Sequence, residues 1–229
     1  MKFHSDLFGW EYVWRNFSDE NNGTAVTDSG DEEGKLLYLS IPIEGTPFQV
    51  IFTPEKPHGK QMAGAFVLVA YPGSDDFVFS IFQEKAHHRL SKVLGMQDLQ
   101  VQDAPFDSKF MIQGTDPKKV LELFHDHELR EEILLLPPTM LHIDPNPTKS
   151  HHKLGLSDKW KAVVYHFEGT MDKLHQLQGA FEIVVSVLEK LSELGAIQGT
   201  KATHVASHPE EEHPVAPAQK RLRSPLLDR

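Results

Sequence analysis

The chain has 229 residues, 39% of them hydrophobic and 24% charged, which is enough to bury one substantial core. Its formal net charge of −10 argues against general nucleic-acid binding, which needs a surplus of Lys and Arg on one face. The lack of cysteine removes disulfides, thiolate zinc sites and cysteine nucleophiles together.

The N-terminal residues are interrupted by Asp6, Glu11 and Arg15 and show neither an apolar core nor a small-residue cleavage site, so no signal peptide is expected. Leu7, Trp10, Trp14 and Phe17 fall at helical spacing and predict a short amphipathic helix over 6–17. Residues 18–34 are rich in Asp, Glu, Asn and Gly and read as a solvated acidic loop. This helix and loop form an N-terminal region, 1–34, ahead of a single domain expected over 35–195.

Residues 35–43 and 46–53 cluster β-branched and aromatic side chains around Glu44 and Gly45 and predict a hairpin, with Pro42 and Pro47 placing it near a sheet edge. Residues 65–71 and 77–82 flank a turn rich in Pro, Gly and Asp at 72–76, so four consecutive strands predict an antiparallel meander. A helix is expected over 84–94, ending at Gly95. Extended structure then returns, with Phe106, Phe110 and Ile112 on one face.

At Asp116 the pattern changes: Asp is a good N-cap, Pro117 suits the first helical position, and Val120, Leu121 and Phe124 follow at helical spacing. Asp126 is expected to cap a second helix that buries Leu129, Ile133, Leu134 and Leu136 and stops at Pro137 and Pro138. Strands are predicted over 140–143 and 162–167. The closing helix, 170–194, carries Leu174, Leu177, Phe181, Val184, Leu188 and Leu191 at alternating steps of three and four. Val185 and Val187 widen that apolar surface beyond a narrow seam, which favours packing within the chain over a coil between two copies. Residues 196–229 have little to bury and read as a disordered tail. The fold class expected is α+β: a mainly antiparallel sheet packed by several helices and closed by a long C-terminal one.

The run from Ile81 through His87, His88 and Gly95, then Asp98 and Leu99, Phe106, Asp107 and Phe110, Asp116 and Pro117, and Glu128, Leu129 and Arg130 resembles a family of uncharacterised bacterial proteins with a domain of unknown function. The resemblance covers 80–136 closely and 35–194 loosely. It implies a meander and helix, a Phe-Asp-x-x-Phe segment, a helix pair, a second strand set and a closing helix. It brings no activity, cofactor or catalytic residue with it.

Fourteen histidines are the compositional oddity, because His can ligate metals or move protons near neutral pH. They group as His87 and His88; His125 and His127 around Asp126; His151 and His152; and His204, His208 and His213. None matches the i, i+3 or i, i+4 spacing with a carboxylate that a helical metal site uses. The residues around Asp126 read as a helix cap with exposed histidines, and a site assembled from histidines distant in sequence is the alternative. There is no phosphate-binding loop, no dinucleotide fingerprint and no nucleophile elbow. Asp107, Asp116, Glu128 and Glu131 have turn, cap or solvated-face explanations, so no catalytic dyad, metal site or cofactor is assigned. The chain therefore reads as a non-catalytic, cytoplasmic interaction or accessory module, with a protein partner, or a homodimer through 170–194, as its expected company. The alternative is a histidine-dependent metal-binding protein or hydrolase. No nucleic acid and no membrane span are expected.

Overall fold

A computed structural model describes residues 9–28, 35–59, 61–73, 75–83, 98–151, 154–156 and 159–197. Among these the chain forms one eight-stranded sheet with six helices, an α+β fold, and every hydrogen-bonded strand pair is antiparallel. The strands are β1 (Thr24–Thr27), β2 (Leu36–Pro42), β3 (Gln49–Glu55), β4 (Gly64–Pro72), β5 (Phe79–Gln83), β6 (Phe110–Gly114), β7 (Met140–Asp144) and β8 (Trp160–Glu168). Their order across the sheet is β1-β2-β3-β4-β8-β7-β5-β6.

That order corrects the four-strand meander. Strands β2, β3 and β4 form consecutive hairpins, but β8 occupies the place beside β4, and β5 pairs with β6 and β7. The turn chemistry at 72–76 is there, but it serves a crossover. Lys161 on β8 donates from Nζ to the backbone carbonyl of Asp75, to that of Phe77 at 3.0 Å and to Asp75 Oδ1 at 3.3 Å. Lys119 Nζ reaches Asp75 Oδ2 at 2.7 Å. Burial alone would raise the Asp75 carboxyl, but the hydrogen bonds from Lys119 and Lys161 outweigh it and hold it below the usual range. A second correction concerns the predicted acidic loop: it contains the edge strand β1, which pairs with β2, so the strand bearing Pro42 lies next to the sheet edge and Pro42 ends it opposite Gln49.

Period-two alternation gives the sheet two different faces. On the first face Leu39, Ile41, Val50, Phe52, Ala65, Val67, Val69, Tyr71, Leu141, Ile143, Val163 and Tyr165 are buried. They lie under α1 (Trp10–Glu20) and α6 (Leu174–Glu193) with the smaller helices α2 (Ala104–Asp107), α3 (Pro117–Leu123) and α4 (His127–Leu135). Helix α1 runs three residues beyond its predicted end and buries Trp10, Val13, Trp14 and Phe17. Trp14 donates from Nε1 to Met171 O at 2.7 Å and meets Phe52 edge-on at 5.9 Å. Helix α6 buries Leu177, Ala180, Ile183, Val184, Val187, Leu188 and Leu191, with Leu174 and Phe181 only partly covered. Its seam is therefore broader than the predicted one and is taken up inside the chain.

The caps follow the sequence. Asp116 accepts from the amides of Lys118 and Lys119 at 3.0 and 3.3 Å, and Asp126 from those of Glu128 and Leu129 at 3.0 and 3.3 Å. Leu129 and Ile133 are buried, Leu134 and Leu136 pack against the core at its margin, and Leu135 is exposed. Phe106 departs from the expected strand. It sits in the one-turn helix α2, where the Asp103 carboxylate accepts from its amide at 3.2 Å and Asp107 accepts from the amides of Val101 and Asp103. Its ring still reaches Phe110 at 5.0 Å, so the predicted apolar grouping survives a different backbone. The helix expected over 84–94 and the tail over 198–229 lie outside the described residues.

Candidate functional site

The second face of the sheet has a lighter covering. Ile51, Leu68, Ala70, Ala162 and Val164 form a small cluster there with Leu154, flanked by Tyr38, Phe66, Leu156 and Trp160. Over it run the short helix α5 (Pro147–Ser150) and the chain around Leu154. Between these parts lies a pocket of about 500 Å³, within the size range of small-molecule sites. Its floor comes from β3, β4, β8 and β7 through Thr53, Phe66, Val164 and Met140, and its sides include Tyr38 and Leu154.

The polar groups of the pocket are few and placed by strand register. Phe66 on β4 stands opposite His166 on β8, which stands opposite Met140 on β7. Two residues along β7, His142 stands opposite Val164, and Asp144 opposite Ala162. The imidazole of His166 stacks on Phe66, 4.5 Å between centroids and 20° from parallel, while its Nε2 lies 3.0 Å from Glu55 Oε2. His151 meets the same Phe66 ring edge-on at 5.4 Å. Gly64, opposite Glu55, makes the pair possible: a Cβ there would come within 2.6 Å of Phe167 O and 2.8 Å of Glu55 Oε2.

Among the pocket's ionisable groups His142 is the most perturbed. Burial pushes its pKa down to about 4; the Asp144 carboxylate opposes this, and His151 and His166 add to it. His151 is also lowered by burial, again against Asp144. Both imidazoles are thus neutral at physiological pH. Nδ1 of His142 is sealed from solvent without a hydrogen-bond partner among the described residues, and so is Oγ1 of Thr53 at the opposite side of the pocket. Three strand spacings, about 14 Å across the sheet, separate the two. Asp144 is buried; its Oδ1 accepts from the amide of Asn146 at 2.8 Å, the turn that opens α5.

Among the described histidines of the groups marked in the sequence, only His151 reaches this pocket. His125 and His127 are exposed at the far side of the molecule's helical layer, His127 facing Glu131 at 3.6 Å, while Asp126 takes Lys190 of α6 at 3.2 Å as well as its cap. Asp107, Asp116 and Glu131 serve a turn, a cap and a surface pair. His87, His88, His152, His204, His208 and His213 lie outside the described residues. His142, His166, Glu55 and Asp144 were not marked at all. The available signal was period two in Met140–Asp144 and Trp160–Glu168: a His at an inward position of a strand is unusual, and two such strands side by side converge. Among the described residues no group of three or more His, Asp or Glu is arranged to hold a metal ion, and no helix is long and apolar enough to cross a membrane.

No protein-family model matches the chain, and no curated protein matches it. Among solved structures, the chain is similar to the crystal structure of the mycobacterial trehalose monomycolate transport factor A, TtfA, at 9% identity and a TM-score of 0.49, over 80% of this chain and 94% of that one.

Proposed function

We propose that this protein is a non-catalytic accessory module that holds a small, largely apolar ligand on the second face of its sheet. The observation that carries this reading is the 500 Å³ pocket, which is apolar on its floor and has a few convergent polar groups at its margin, the usual composition of a binding site. Among the described residues the helical face of the sheet is packed by apolar side chains, and the pocket lies on the opposite face. A cytoplasmic setting and membership of the bacterial family resembled by the 80–136 pattern are proposed with it, on the sequence alone.

Catalysis is the second reading, and one observation favours it: Glu55 and His166 form a carboxylate–imidazole pair at 3.0 Å, two of the three parts of a nucleophile-activating relay. Among the described residues no hydroxyl is placed on the imidazole, and the ring is held flat against Phe66. An environment-sensitive apolar dye separates the readings. Saturable binding at one dye per chain, lost in Val164→Phe, which fills the pocket from β8, supports the module. Dye binding unchanged by that substitution, or turnover in a hydrolase and transferase screen that Glu55→Gln abolishes, would refute it.

A further inference from the structure

The pocket's charge is unbalanced. Among the described residues, its ionisable lining is Tyr38, Glu55, Lys56, His142, Asp144 and His151. Glu55 has His166 at 3.0 Å and Lys56 at 3.9 Å. Asp144 is buried with one backbone hydrogen bond to Oδ1 and no cationic partner among the described residues. The two imidazoles in its field are kept neutral by burial. Buried carboxylates in folded proteins are paired or heavily hydrogen-bonded, because an unmatched charge out of water is costly. Among the described residues, this end of the pocket therefore carries a buried carboxylate and no donor with positive charge. At the other end Phe66 and Tyr38 offer aromatic surface.

We propose that the ligand of this pocket is a small primary amine with an apolar body, its ammonium group seated on the Asp144 carboxylate and its body lying along Phe66 and Val164 toward Thr53. This rests on the binding-module reading and specifies the chemistry of its ligand. The ammonium supplies three donors, enough for both oxygens of the Asp144 carboxylate and one further acceptor. The same geometry rejects carboxylic acids, whose charge would meet that of Asp144 without solvent between them.

The test uses the full chain and three probes that differ only in the head group: 4-phenylbutylamine, 4-phenylbutanol and 4-phenylbutyrate, titrated by calorimetry near neutral pH. The amine is expected to bind at least about tenfold more tightly than the alcohol, the acid to show no binding, and Asp144→Asn to remove most of the amine's advantage over the alcohol. The ratio between amine and alcohol on the unmutated protein stands even where the variant fails to fold. Equal affinities for amine and alcohol, or tighter binding of the acid, would overturn the head-group assignment and leave the binding module intact. No binding of any of the three would overturn both.

Discussion

His142→Leu isolates the strongest electrostatic perturbation in the pocket. In the folded chain the imidazole has its pKa pushed down to about 4 from an ordinary 6.5, so the unfolded state binds the extra proton first. The sign follows: stability does not depend on this group above about pH 6.5, and it is lost progressively as pH falls toward 4. At pH 5 the loss is about 2 kcal/mol, and the full window amounts to roughly 3 kcal/mol. The charged and titratable groups facing the ring are Asp144, His151 and His166; His151, also depressed, adds to the same slope. Leucine removes the titration and the orphaned Nδ1 together, and replacing an unsatisfied polar group by an apolar one is close to neutral or stabilising. Urea unfolding of both proteins at pH 7.5 and pH 5 measures the difference. The variant is expected within about 1 kcal/mol of the parent at the higher pH and about 2 kcal/mol more stable than it at the lower. Parallel stability curves across that range would show that His142 does not titrate differently in the two states, and the account of a desolvated imidazole would be wrong.

Three further outcomes test the fold that positions the pocket. Gly64→Ala places a methyl group against Phe167 O and the Glu55–His166 pair and should cost about 1–3 kcal/mol in urea unfolding, with an unchanged midpoint counting against the close approach. Asp126→Ala removes the cap of α4 and a partner of Lys190; a loss of about 1 kcal/mol is expected, and no loss would mean that the cap is replaced by solvent. Lys161→Met leaves Asp75 with Lys119 as its remaining lysine partner, so the Asp75 carboxyl should titrate at higher pH by NMR, and no change in its titration would refute the role of Lys161.

What the sequence disclosed and what it withheld divide along physical lines. Local chemistry was legible: Asp116 and Asp126 cap helices because a short carboxylate can reach the amides two and three residues on, and Pro117 fits the first turn without losing a bond. Packing faces were legible too, since Leu177, Val184, Leu188 and Leu191 are covered as their spacing requires. Strand order was not. Nothing local to residues 72–76 says that β8, some ninety residues later, will take the place beside β4; the decision rests on long-range contacts such as Lys161 with Asp75. Phe106 shows a related limit, because a buried ring at the right distance from Phe110 is compatible with a strand or with one helical turn capped by Asp103.

The candidate site falls on the withheld side for the same reason. Its residues come from β3, β4, β7 and β8, and each is ordinary in its own segment: Glu55 ends a strand, Phe66 alternates with buried neighbours, and His142 and Asp144 flank Ile143 of the core. Only the order β3-β4-β8-β7 lines them up, and a register one residue different on β7 would turn His142 and Asp144 into the helical core. A neutral imidazole and a carboxylate without a cationic partner among the described residues are tolerable at the pocket face and would be severely destabilising at the other, which α6 covers with buried apolar side chains. The constraint that fixes the fold thus also fixes the site: the apolar residues Leu141 and Ile143 take the packed face, and the alternation leaves the polar ones to the pocket.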